Sequence, residues 1–262
     1  MLLAIDSGNT NTVFALYDRE GRCLGEWRAA TNTNRTADEY GVWLRQLMEF
    51  ENLSDVTLST AIIASVVPAT VFSLRYMCRK YFDLDATIVG DPELDLGIEV
   101  KLVHPEEVGA DRLVNAVAGR ETYGGPLIII DFGTATTFDV IDDDGSYIGG
   151  AIAPGINLSL EALHMAAAKL PRVAIGRPTN VIGTDTVDAM KSGVFWGYVS
   201  LIEGLVKRIR EEKGSDMTVI ATGGLSSLFA GSTDVITKAD PDLTLRGLWL
   251  IDHNNRPETL RT

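Results

Sequence analysis

The stretch DSGNTNTVFALYD, Asp6 to Asp18, follows directly on the apolar run Leu2-Leu3-Ala4-Ile5. That run predicts a buried strand and Thr12 to Tyr17 predicts a second, which leaves Ser7 to Asn11 as a tight hairpin loop. Ordinary hairpin chemistry accounts for this much, because Gly8 and Asn9 tolerate positive φ and Asp6 could bond to turn amides. The question is why an acidic side chain ends an apolar strand at a turn of Ser, Gly, Asn and Thr.

The arrangement occurs a second time. Leu127-Ile128-Ile129-Ile130-Asp131-Phe132-Gly133-Thr134-Ala135-Thr136-Thr137 repeats the apolar run, the terminal Asp, the Gly two residues on and the Thr-rich turn, displaced by 131 − 6 = 125 positions. The likeness continues downstream. Asp18-Arg19-Glu20-Gly21 and Cys23-Leu24-Gly25 after the first hairpin answer to Asp142-Asp143-Asp144-Gly145 and Tyr147-Ile148-Gly149 after the second. Each half therefore opens with a three-stranded meander. A duplicated turn of this composition has a use that hairpin chemistry alone does not supply. Backbone N–H groups and hydroxyls at short range suit phosphate oxygens, and an Asp at the root of the turn can hold a cation that offsets their charge. A third Gly-rich element agrees with that reading: Met217 to Ala221 predicts a buried strand running into Thr222-Gly223-Gly224 and a helix, where glycine lets a flat ligand approach the backbone.

Between the motifs, strands alternate with helices. Thr36-Ala37-Asp38-Glu39 is a capping-box pattern, and Tyr40, Trp43, Leu44, Leu47 and Met48 follow on one helical face. Thr60 to Val67 predicts a buried strand ended by Pro68, Val71 to Tyr81 a helix, and Ala86 to Val89 another strand. This is an α/β order. The 262 residues exceed what one compact core usually carries, so two domains are expected, at 1–115 and 116–262, with a ligand cleft between them.

Composition excludes several classes. A net charge of −13 without a basic stripe argues against nucleic acid as a partner. The two cysteines, Cys23 and Cys78, stand at no metal or redox spacing, so disulfides and structural zinc are not expected and both read as buried small hydrophobes. No apolar segment is long enough for a membrane span, and the N-terminus lacks the pattern of a signal peptide, so a cytoplasmic protein is expected.

The segment His104 to Arg112 differs from its surroundings. Pro105 favours an extended residue before it, Gly109 permits an unusual turn, and Leu113, Val114, Ala116 and Val117 begin an apolar helical face. Asp111 at the helix start reads either as an N-cap or as a general base, with Arg112 beside it to receive an anionic or carbonyl-bearing substrate.

Together, the DSGNTNT turn, Gly109-Ala110-Asp111-Arg112, the DFGTATT turn and Ala221-Thr222-Gly223-Gly224, in this order, resemble the type III pantothenate kinases. The resemblance covers nearly the whole chain, including the helix after Ile182-Gly183 and Leu245-Arg246-Gly247-Leu248. It implies the duplicated actin-like (ribonuclease H-like) fold, and ATP-dependent phosphorylation of pantothenate as the first step toward coenzyme A. It also implies roles for residues. Asp6, Ser7, Gly8, Asn9, Thr10, Asn11, Thr12 and Val13 would form the first phosphate loop, and Thr134 would be a further ATP contact. Asp131 would hold a monovalent cation, K⁺ or NH₄⁺, while Mg²⁺ travels with ATP near Asp6. Gly109, Ala110, Asp111 and Arg112 would form the pantothenate loop, with Asp111 as proton acceptor, and Thr186 would touch substrate across the interface of a homodimer. One position departs from the pattern: Leu102 stands where many relatives carry a Tyr that touches pantothenate.

Two rivals remain at this point. Another reaction on the same fold, such as sugar or acetate phosphorylation or nucleotide hydrolysis, would be revealed by a screen of phosphate acceptors. A non-catalytic nucleotide-binding accessory protein would be marked by loss of Asp6, Asp111 or Asp131, and all three are present.

Overall fold

The structure of the protein, a computed structural model, describes residues 1–166 and 170–256. The first apolar run and its neighbour form the antiparallel hairpin of β1 (Leu2–Ser7) and β2 (Asn11–Tyr17), and β3 (Cys23–Ala30) completes the meander. After α1 (Ala37–Phe50), strand β4 (Thr60–Ser65) joins β1 in parallel. It leads through α2 (Pro68–Phe82) to the short β5 (Thr87–Ile88), giving a sheet of order β3-β2-β1-β4-β5. The expected capping box at Thr36 and Glu39 is formed, and Pro68 opens α2 at a position where its missing N–H costs nothing.

The second half repeats this plan. Helix α3 (Ala110–Tyr123) is followed by β6 (Leu127–Phe132), β7 (Ala135–Ile141) and β8 (Tyr147–Pro154) as a meander. Then come α4 (Ile156–Ala166), α5 (Thr186–Lys213), β9 (Thr218–Gly223), α6 (Ser226–Ala230), β10 (Lys238–Ala239) and α7 (Leu243–Asn255). The second sheet is ordered β8-β7-β6-β9-β10, which is the first sheet's order strand for strand.

The duplication reaches single hydrogen bonds. Both meanders carry a register shift at matching places, Leu16/Tyr17 and Val140/Ile141, with 140 − 16 = 124. The following turns share their bonds: Asp18 N–H to Arg22 O and Gly21 N–H to Asp18 O in one, Asp142 N–H to Ser146 O and Gly145 N–H to Asp142 O in the other. Gly21 and Gly145 sit at φ +80 and +81, where a side chain would be strained.

Compact units divide at Met1–Thr122, rejoined by the chain from Leu243, and Tyr123–Asp242. This differs from a boundary between 115 and 116, which would cut α3 in mid-helix. The reason lies in burial. Ala110, Val114 and Val117 of α3, with Leu245, Leu248 and Ile251 of α7, cover the face of the first sheet that carries Leu2, Ala4, Ile62 and Ala64. The opposite face, with Leu3, Ile5, Phe14 and Ile63, packs against α1 and α2 through Tyr40, Leu44, Leu74 and Met77. Strands covered on both faces read as continuous apolar runs rather than alternating ones, and each fully buried Leu, Ile or Phe among them contributes roughly 1.5–3 kcal/mol by leaving water. In the second unit, Ile128, Ile130, Phe132, Val219 and Ala221 pack against Phe195, Val199, Ile202 and Phe229. Cys78 is buried as expected, but Cys23 is exposed: it opens β3 at the rim of the meander.

Candidate active site

The first turn is held from beneath by hydroxyls. Ser7 and Thr12, both fully buried, lie 3.3 Å apart across the hairpin; Ser7 Oγ meets Thr70 Oγ1 of α2 at 2.9 Å, and Thr12 Oγ1 meets Thr31 Oγ1 at 3.0 Å. Thr31 Oγ1 donates to Gly8 O at 2.7 Å. Backbone bonds from Gly8 N–H to Asn11 O and from Thr31 N–H to Thr10 O fix the turn itself. The eight residues from Asp6 to Val13 therefore divide in role. Ser7, Thr12 and Val13 are buried scaffold, whereas Asn9 and Thr10 are exposed at the tip and Asp6, Gly8 and Asn11 are half-buried.

Strand alternation puts Asp6 on the face of Leu2 and Ala4, the face that α3 covers. Val66, just past β4, donates its N–H to Ser7 O at 3.1 Å, and its Cγ1 lies 3.4 Å from where a Cβ on Gly109 would stand. The GADR segment and the root of the first turn thus meet at the carboxyl ends of β1 and β4. Helix α3 begins at Ala110, so Asp111 occupies the second helical position and is not the N-cap. Its Oδ1 accepts the N–H of Arg112 at 2.8 Å and lies 2.6 Å from the Cβ position of Gly109. A side chain at 109 would displace that carboxylate oxygen from its place. Burial pushes the Asp111 carboxyl above the usual carboxylate range, against the pull of the Arg112 N–H and guanidinium. Its affinity for a proton is thereby raised, which suits a general base.

The second turn copies the first with one residue fewer: Asp6 answers to Asp131 (131 − 6 = 125), while Val13 answers to Thr137 (137 − 13 = 124). Gly133 N–H bonds to Ala135 O and Gly155 N–H to Thr134 O, the counterparts of the two bonds of the first turn. Gly155 packs so closely that a Cβ there would stand 2.2 Å from Thr134 O. Gly133 and Thr134 are exposed and Asp131 is half-buried. Beside β6, strand β9 pairs Asp131 with Thr222 and Phe132 with Gly223. Gly223 is at φ +84, and a Cβ on it would come within 2.5 Å of Asp131 Oδ1, so the carboxylate rests over glycine backbone. The Thr222 hydroxyl, fully buried, has no hydrogen-bond partner among the described residues.

Thr186 is the exposed first residue of α5, one place after its N-cap Asp185. Leu102 is half-buried, and His104 is exposed with Nδ1 3.4 Å from Glu106. Thr31, Val66, Thr70 and Gly155 support the two turns but lie outside the motifs, and single small residues in loops and strand ends carry no signal of their own; Thr222 lies within the Ala221 to Gly224 motif, read there only for its glycines. A cavity of about 290 Å³ opens at the far end of β4, lined by Arg19, Thr60, Asp252 and Arg256. Arg256 is already committed there, to Asp252 at 2.7 Å and to Thr60 at 2.9 Å. Among the described residues no three His, Cys, Asp or Glu side chains cluster to hold a metal.

The family model for type III pantothenate kinase matches residues 2–208. The chain is 68% identical over 258 residues to the type III pantothenate kinase of Rhodospirillum rubrum, covering 98% of this chain and 100% of that one. It is 68% identical over 255 residues to that of Paramagnetospirillum magneticum, covering 97% and 98%. The chain belongs to the type III pantothenate kinases. As a pantothenate kinase it catalyses ATP-dependent phosphorylation of pantothenate, the first step of coenzyme A biosynthesis. The duplicated actin-like fold recurs in a distant solved structure, the activator of the 2-hydroxyisocaproyl-CoA dehydratase from Clostridium difficile with bound ADPNP. That likeness has a TM-score of 0.54 at 12% identity, over 96% of this chain and 94% of that one. For this kinase no described helix is long and apolar enough to cross a membrane.

Proposed function

We propose that Asp111 accepts the proton of pantothenate's primary alcohol as its oxygen attacks the γ-phosphorus of ATP; the bond to the β-phosphate oxygen breaks and ADP leaves. The observation that carries this role is the half-buried Asp111 carboxylate over Gly109, raised in proton affinity and set beside the root of the first turn. Gly109, Ala110 and Arg112 hold the substrate next to it, with Thr186 as a further contact. The residues from Asp6 to Val13, and Thr134, position the phosphates; the exposed tip at Asn9 and Thr10 offers amides and hydroxyls, while Ser7 and Thr12 stiffen the turn beneath them. Because the transition state is loose, with charge spread over the phosphoryl oxygens, positioning and electrostatics are the main requirement and no nucleophilic side chain is needed.

Asp6 suits Mg²⁺ carried in with ATP, and Asp131, free of steric crowding from Gly223, suits K⁺ or NH₄⁺. These cations supply positive charge against the phosphate oxygens. The working form is a cytoplasmic homodimer. Supporting that state, Val181 and Ile182 are 66% and 83% exposed just before α5, as are Leu158 and Met165 on α4, which packs against α5.

The test is direct. With ATP, Mg²⁺ and K⁺, the purified protein converts pantothenate to 4′-phosphopantothenate, followed by mass spectrometry of the product. No product under that full set of ions, or equal turnover of sugars or acetate, overturns the reading.

A further inference from the structure

We infer that the Thr222 hydroxyl is a second protein ligand, beside the Asp131 carboxylate, for the monovalent cation. This rests on the assignment of that cation to Asp131. Three observations within the second unit carry it. Thr222 and Asp131 are register partners on parallel strands. Val219 and Ala221 pack with Ile128 and Ile130 on the opposite face, so alternation places the Thr222 and Asp131 side chains together. The Thr222 hydroxyl is fully buried and has no hydrogen-bond partner among the described residues. A buried hydroxyl left in that condition is costly, and such a group in a native fold calls for a partner from outside the chain.

The duplicated fold contains its own control. In the first sheet the residue paired with Asp6 is Ala64, buried and apolar. Of the two equivalent aspartates, therefore, the one assigned the monovalent ion has a hydroxyl beside it, and the one assigned Mg²⁺ has a methyl group. The difference follows from ion chemistry. Mg²⁺ keeps several of its waters and is held through one or two carboxylates and the phosphates. A larger, weakly hydrated monovalent ion gives up water more readily and gains from a neutral protein oxygen next to a single carboxylate. Gly223 serves the same end by leaving Asp131 Oδ1 uncrowded.

The test compares Thr222→Val, which keeps the shape and removes the oxygen, with Thr222→Ser, which keeps the oxygen. Thermal unfolding is followed in the presence of Mg²⁺ and ADP, in NaCl alone and with KCl replacing it stepwise. The expected result is that Thr222→Val melts at or above the parent in NaCl, since it loses an unsatisfied hydroxyl. Its KCl-dependent rise in Tm should require at least about tenfold more K⁺, while Thr222→Ser follows the parent. A parental K⁺ response in Thr222→Val overturns the inference alone. So does a drop in its Tm in NaCl, which would reveal a structural partner for the hydroxyl. A parent with no K⁺ response overturns the cation assignment at Asp131, and this inference with it.

Discussion

Asp111 shows how much one side chain's surroundings decide. It stands at the second position of α3, so a capping role does not explain it, and its carboxylate rests where a Cβ on residue 109 would crowd it. Asp111→Asn keeps the shape and the acceptor for the Arg112 N–H but cannot accept a proton. We expect turnover of pantothenate to fall by about 10²- to 10⁴-fold, the usual range for removing a general base, with ATP binding retained. Near-parental turnover would remove Asp111 from the mechanism. The pH dependence of stability supplies a second reading. Because the folded-state pKa is raised, the stability this group contributes is full below the unfolded-state pKa and is lost as pH rises through the folded-state value. Asp111→Asn does not titrate, so relative to the parent it should gain stability between acidic and neutral pH, as measured by urea unfolding at both. An equal difference at the two pH values would contradict the raised pKa.

At the scale of elements, the first turn, proposed above to hold phosphate, is tied to its neighbours by hydrogen bonds. Thr70 of α2 reaches Ser7 at 2.9 Å, and Thr31 at the end of the first meander bonds both Thr12 and Gly8. Thr70→Val removes one partner of a buried hydroxyl pair and should cost about 1–3 kcal/mol of stability, with a rise in KM for ATP larger than any change in KM for pantothenate. Urea unfolding and steady-state kinetics check both parts; an unchanged KM for ATP would mean that the network stabilises the fold without tuning the turn. These supports were not legible in the sequence. Thr31 and Thr70 are single hydroxyls far from the turn in the chain, and only strand pairing and helix docking bring them under it. The turn itself was legible, because its composition, its apolar flanks and its repetition 125 residues later all lie within short windows.

For the whole molecule, the duplicated strand order explains why two aspartates, Asp6 and Asp131, end equivalent central strands. The exposed Val181 and Ile182 belong to this scale as well, as the surface assigned above to the proposed dimer. If the proposed dimer forms through this surface and supplies Thr186 to the partner's site, Ile182→Asp should shift the protein toward monomer in sedimentation velocity and lower pantothenate turnover while leaving ATP binding intact. A variant that stays dimeric, or a monomer with full turnover, would separate the interface from the site. The sequence by itself determined the class of fold, the two Asp-rooted turns, the GADR segment and the family, because each depends on local period, composition and order along the chain. Only the tertiary structure decided that nearly all of α3, with α7, packs in the first unit, that Ser7 and Thr12 are scaffold, that Asp111 is no cap, and that Thr222 stands beside Asp131. Those facts depend on burial and register between segments distant in sequence, and side-chain composition does not encode which strand lies next to which.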